Sequence, residues 1–252
     1  MRFLLDPLRK AGWFFGFAAM VVLPMRGACA ADIQNTVTVD AGETVDIGGV
    51  TSILVRAKHP NGSILLLTGG DGRLNVMASA RFTEGADNVL IRNRDALVNG
   101  GYDVLLLELG TNLAAATDYM AKLKRPVVIV ATSKGTQRAA EGLAQGARPD
   151  KLVLSSGFLS EASGPADSVA SLLKSPALLP STLVIHHRDD RCRWTNPAGV
   201  APFQAWGGKR VEVIWMSGGN DDPENPCRFS AHHGFAGQDK TFVSHILQFI
   251  EK

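Results

Sequence analysis

Between Pro126 and Gly146 the chain reads PVVIVATSKGTQRAAEGLAQG, an apolar run that gives way to Ala131-Thr132-Ser133-Lys134-Gly135 and then to a stretch rich in small residues. This is the pattern of a buried strand turning sharply into a helix with a serine at the turn, G-x-S-x-G with alanine for the first glycine. Such a turn presses Ser133 into a strained conformation and exposes its hydroxyl as a nucleophile. Side chains two positions either side would strike neighbouring backbone, and Ala131 and Gly135 are small enough to avoid it. The helix N-terminus places the Lys134 amide where it can stabilise a developing oxyanion.

A serine nucleophile needs a base, and the base needs an acid to orient it. Thr182 to Arg193 reads TLVIHHRDDRCR, with Asp189 and Asp190 just past an apolar strand, where ligands of α/β sheets bind. Ala231-His232-His233-Gly234-Phe235 follows the final apolar run and offers two imidazoles. Thr68-Gly69-Gly70-Asp71-Gly72 follows an earlier run, and its glycines allow close approach of backbone to a ligand. Metal binding is the competing chemistry, because His186, His187, Asp189, Asp190, Cys192, His232 and His233 could converge. None has the tight spacing of H-E-x-x-H or paired C-x-x-C, so no metal is expected.

These residues must be positioned by the elements between them. From Ser63 onward, apolar runs at Ile64 to Thr68, Val104 to Leu109, Pro126 to Ala131, Leu152 to Ser155, Leu183 to His186 and Val211 to Trp215 alternate with segments of helical spacing. Alternation of this kind predicts βα units and a mostly parallel, doubly wound sheet covered on both faces. Thr36 to Val39 and Ser52 to Ala57 alternate in polarity, as antiparallel edge strands do. Helices are expected near Asp87 to Val98, Asn112 to Lys124, Lys134 to Gln145, Pro197 to Trp206 and Asp239 to Ile250. The Ser-, Ala-, Pro- and Gly-rich stretch between Gly157 and Pro180 is the one place for a lid, and it leaves no room for a large cap domain.

Arg2, Arg9 and Lys10 precede an uncharged stretch from Ala11 to Met25, followed by Ala28-Cys29-Ala30. That is the order of a secretory signal with an A-x-A cleavage site, so residues 1–30 are expected to be removed, leaving 31–252 as a single domain. The alternative is an uncleaved anchor, but the run is short for a membrane span and is interrupted by Gly16 and Pro24. Cleavage would remove four of the 26 Lys/Arg and one of the 24 Asp/Glu, leaving 22 and 23 and a net charge of −1. Neither nucleic acid nor an anionic membrane is therefore expected as a partner, and no stable membrane anchor after cleavage. Cys192 and Cys227 would be the two remaining cysteines, read as one disulfide of a periplasmic or secreted protein.

From about Ser52 to the C-terminus the chain resembles the α/β-hydrolase superfamily. The TSKG turn, HHRDDRC and HHGF look like those of small exported bacterial serine hydrolases. The resemblance implies chain order Ser, Asp, His, with Ser133 as nucleophile and His233, directly ahead of Gly-Phe, as base. Laying His186-His187 over the family's H-G-x-x-D puts Asp190 at the acid, with Asp189 the alternative. His187 departs from the family's glycine there. A second oxyanion donor is implied in the loop after the third strand, at Gly70 or next at Asp71. No cofactor is implied, and the partner is a small-molecule acyl substrate, with a carboxylic ester first. The same residues would serve a peptidase or an acyltransferase, and the fold also permits a non-catalytic binding protein.

Overall fold

The computed structural model describes residues 35–252. The signal-peptide reading of residues 1–30 lies outside the described residues. Ten strands appear in chain order as β1 (Val37–Thr38), β2 (Gly42–Ile47), β3 (Val50–Val55), β4 (Gly62–Leu67), β5 (Arg81–Phe82), β6 (Tyr102–Leu106), β7 (Val127–Thr132), β8 (Lys151–Ser155), β9 (Ser181–His187) and β10 (Val211–Met216). The helices are α1 (Val89–Arg92), α2 (Arg94–Asn99), α3 (Leu113–Leu123), α4 (Gly135–Ala144), α5 (Val169–Leu173), α6 (Val200–Gly207) and α7 (Asp239–Glu251).

Eight strands form one sheet in the order β10-β9-β8-β7-β4-β6-β3-β2. The six from β4 to β10 that join it run parallel, and β3 and β2 close one side antiparallel. Successive strand residues point to opposite faces. Ile64 and Leu66 accordingly pack with α1, α2 and α7, while Leu65 and Leu67 pack with α3, α4 and α6. A parallel strand covered on both faces must be apolar throughout, and every residue of β4 and β7 is buried.

Strand order reverses around β4, which has β6 on one side and β7 on the other. At such a switch point the connecting loops diverge to opposite faces and leave a crevice beyond the strand ends. Leu67 at the end of β4 is in register with Ala131 near the end of β7. The Thr68–Gly72 loop and the Ser133 turn therefore emerge side by side.

Several boundaries differ from the sequence expectation. Thr36 to Val39 contributes no edge strand to the main sheet, because β1 pairs with β5 in a separate two-stranded ribbon. The edge is β2, whose GETVDI carries few apolar residues because most of it faces solvent. Segment Ser52 to Ala57 is antiparallel as expected but lies inside that edge, between β2 and β6. The helix expected from Asp87 to Val98 is broken at Asn93, whose Nδ2 donates to Val89 O at 2.8 Å and to Asp239 Oδ1 at 2.7 Å. The stretch considered for a lid folds against α4 instead: Val169 and Leu173 of α5 are buried in the same core as Ala139 and Leu143, and Gln137 Nε2 donates to Asp167 O at 2.6 Å.

Candidate active site

Ser133 sits between β7 and α4 with φ 52°, in the left-handed region that a residue with a Cβ enters only when its surroundings impose it. Its amide donates to Ser155 O at 2.9 Å, and its carbonyl accepts from Thr136 N at 3.0 Å and Thr136 Oγ1 at 2.7 Å. A Cβ at Gly135 would lie 2.3 Å from Leu67 O, so the turn tolerates no side chain there. Ala131, two residues before the serine, is fully buried. Lys134 and Gly70, the two expected oxyanion donors, flank the serine on adjacent loops; among the described residues neither amide meets a protein acceptor.

One hydrogen-bonded series runs from the serine into the interior. His233 Nε2 lies 3.1 Å from Ser133 Oγ, and His233 Nδ1 lies 3.0 Å from Asp190 Oδ2. The Asp190 side chain has no exposed surface and that of His233 only 7%. A carboxylate so buried must have its lone pairs satisfied. The Cys192 amide donates to Oδ1 at 2.9 Å, and Thr195 Oγ1 lies 3.3 Å from Oδ2. The same Thr195 oxygen is 3.0 Å from His233 Nδ1, so it touches both members of the pair. Sequence reasoning missed Thr195, since a threonine five residues past a carboxylate carries no signal.

His233 sits in a short turn, His232–Gly234, fixed from several directions. Buried Ser156 donates from Oγ to His233 O at 2.8 Å. Arg92 donates from Nη2 to Gly234 O at 2.8 Å and pairs through Nε with Asp239 at 2.8 Å, tying the turn to α1 and to the start of α7. Phe235 stacks obliquely on Phe242 of α7, centroids 4.7 Å apart. Cys192, two residues past the buried acid, forms a disulfide with Cys227, six before the imidazole, with Cα atoms 4.6 Å apart. That bond joins the Asp190 loop to the segment leading into the His232–Gly234 turn.

The remaining sequence candidates lie elsewhere. Asp189 is exposed, and its amide donates to His187 Nδ1 at 3.1 Å. This leaves His187 Nε2 as the protonated nitrogen, donating to Gly218 O at 2.9 Å, and burial holds the His187 pKa below its usual value. His232 stacks on His187 at 4.1 Å with the planes 9° apart. His187, Asp189 and His232 each offer an atom within 4.8 Å of the others, a spacing open to a metal ion. Imidazole lone pairs lie in the ring plane, however, so stacked rings aim theirs in parallel rather than at one point. His186 is fully buried behind Asp190; its Nε2 has no partner among the described residues, and burial lowers its pKa.

A cleft of about 100 Å³ opens over the serine, lined by Gly69, Gly70, Val89, Ser133, Phe229 and His233 among others. Cys227 forms part of its wall, and no residue of the Gly157–Pro180 stretch lines it. The covering segment is the one between β10 and α7, which carries the half-exposed Phe229.

By sequence, no protein family and no curated protein matches the chain. By structure it is similar to a dienelactone hydrolase from Anabaena variabilis, with TM-score 0.57 and 16% identity over 83% of this chain and 94% of that one. It is also similar to the esterase domain of a Rhodothermus marinus protein, with TM-score 0.56 and 13% identity over 84% and 95%. An alpha-beta serine hydrolase homologue from Coxiella burnetii gives TM-score 0.55 and 14% identity over 85% and 99%. With the parallel sheet, its two antiparallel strands and the reversal at β4, these likenesses show that the chain has the α/β-hydrolase fold.

Proposed function

We propose that the protein is an exported serine hydrolase acting on carboxylic esters with short acyl groups, through Ser133, His233 and Asp190. The observation that carries this reading is the hydrogen-bonded series Ser133 Oγ, His233 Nε2, His233 Nδ1, Asp190 Oδ2, with contacts of 3.1 and 3.0 Å, ending in a buried carboxylate. Ser133 Oγ attacks the ester carbonyl while His233 Nε2 takes its proton, and Asp190 holds the imidazole tautomer and stabilises the imidazolium. The amides of Lys134 and Gly70 meet the oxyanion. Collapse of the tetrahedral intermediate breaks the ester bond; the alcohol leaves with the proton from His233, and water, deprotonated by the same imidazole, releases the acid.

The cleft of about 100 Å³ favours acetyl- or propionyl-sized groups, since pockets for drug-sized ligands start at roughly 300 Å³. The disulfide supports export, because such bonds persist in oxidising compartments such as the periplasm. A fluorophosphonate probe tests the reading: oxidised protein should be labelled, and Ser133→Ala should not. Absence of labelling on folded, oxidised protein would favour a binding protein. A panel of esters and peptide amides separates esterase from peptidase.

A further inference from the structure

Arg138 projects from the first turn of α4 against the underside of the Thr68–Gly72 loop. Its Nη2 donates to Thr68 O, and its Nη1 donates to Gly70 O at 3.3 Å. A Cβ at Gly72 would lie 2.5 Å from Arg138 Cζ, and Gly72 has φ 85°, so glycine there both makes the turn and leaves room for the guanidinium. We infer that Arg138 is a positioning residue that holds the loop amide receiving the oxyanion, an inference that rests on the serine-hydrolase reading.

In a trans peptide the N–H points opposite to the carbonyl of the preceding residue, so fixing one fixes the other. The Gly69 carbonyl accepts from Gly72 N at 3.2 Å inside the turn, which sends the Gly70 N–H outward. The planes on either side, carrying Thr68 O and Gly70 O, are the two that Arg138 grips. A run of glycines has wide backbone freedom, and without the clamp the Gly70 amide would sample many directions. A planar fork with fixed donors suits two carbonyls, and an ammonium does not reproduce it. The same helix thus follows the nucleophile, supplies the Lys134 amide at its start and secures the opposite donor. Nothing local to Arg138 signals this role, since an arginine early in a helix ordinarily extends into solvent.

Preorganised donors act on the transition state more than on bound substrate. Arg138→Met should therefore lower kcat for p-nitrophenyl acetate by about 10- to 100-fold, less than loss of an oxyanion donor outright, with KM changed by no more than about 2-fold. Arg138→Lys should fall between. A trifluoromethyl ketone, whose Ser133 adduct carries the tetrahedral oxyanion, should lose affinity in parallel with kcat. Amide exchange at Gly72, whose N–H is held by Gly69 O, should accelerate in Arg138→Met while α4 stays protected. Wild-type kcat and ketone affinity in a folded Arg138→Met protein would overturn the inference, as would a rise in KM alone. If Arg138→Met does not fold, Arg138→Lys decides by the same readouts. Failure of wild-type protein to turn over any ester or take the probe would instead remove the hydrolase reading, and this inference with it.

Discussion

Thr195 Oγ1 lies 3.0 Å from His233 Nδ1, on the same nitrogen that faces Asp190. The hydroxyl also reaches Asp190 Oδ2, so it braces carboxylate and imidazole against each other. Thr195→Val keeps the shape and removes the hydroxyl. Loss of one such hydrogen bond is worth about 0.5–1.5 kcal/mol, so turnover should fall by roughly 2- to 12-fold. Asp190→Asn should cost far more, about 10⁴-fold in kcat, because the amide no longer enforces the productive tautomer. Asp189→Asn, at an exposed site, should leave kcat nearly unchanged. Equal losses in the two Asn variants would refute the assignment of Asp190.

The Cys192–Cys227 bond closes a loop of sequence separation 35, for which loop-entropy reasoning gives about 4 kcal/mol of stabilisation. Because it joins the acid loop to the segment before the base, reduction should lower turnover before the sheet unfolds. The check is activity and far-UV circular dichroism along a reductant titration, with thiol counting. Unchanged turnover in fully reduced protein would show that the bond has no part in positioning.

Acidification should weaken the fold through the buried histidines. Burial lowers the pKa of His186 and of His187 below the ordinary 6.5, so the unfolded chain takes up protons that the folded one refuses. Stability present at neutral pH is then lost progressively as pH falls below about 6.5. Urea unfolding between about pH 8 and pH 5 measures this, a range that stays above the ordinary carboxylate pKa values. Replacing His186 by Gln should flatten the curve, and a wild-type curve already flat over that range would contradict the explanation.

Chain-length selectivity should follow the cleft at Ser133. Acetyl and propionyl esters should be hydrolysed with higher kcat/KM than octanoyl esters, and Phe229→Ala should shift the preference toward longer chains by removing part of the cleft lining. Competition assays with mixed p-nitrophenyl esters give the ratio directly. An octanoyl preference in wild-type protein would be incompatible with so small a space.

Much of this architecture was legible because a parallel sheet imposes continuous apolar runs, and β4, β6, β7, β8, β9 and β10 all coincide with such runs to within a few residues. The sharp strand-to-helix turn at Ser133 was equally legible, since steric crowding leaves so few residue types at 131 and 135. Edge strand β2 was hidden by its solvated face, and Asn93, where the helix breaks, bonds Asp239, a residue far along the chain. The environments of Asp189 and Asp190 differ sharply, one exposed and one buried, although the two are neighbours; local composition cannot tell them apart. Thr195 and Arg138 were invisible because His233, which the first touches, and the Thr68–Gly72 loop, which the second grips, lie far from them along the chain.

Arg92 draws the His232–Gly234 turn against a helix that begins only at Asp239, after every proposed catalytic side chain has passed. Phe235 likewise finds its partner at Phe242. During synthesis the emerging polypeptide would carry serine, aspartate and imidazole while still lacking the element that docks the imidazole in place. On the proposed reading, catalytic competence would be deferred until α7 has been made, and a truncated product ending before α7 should be inert despite holding all three groups.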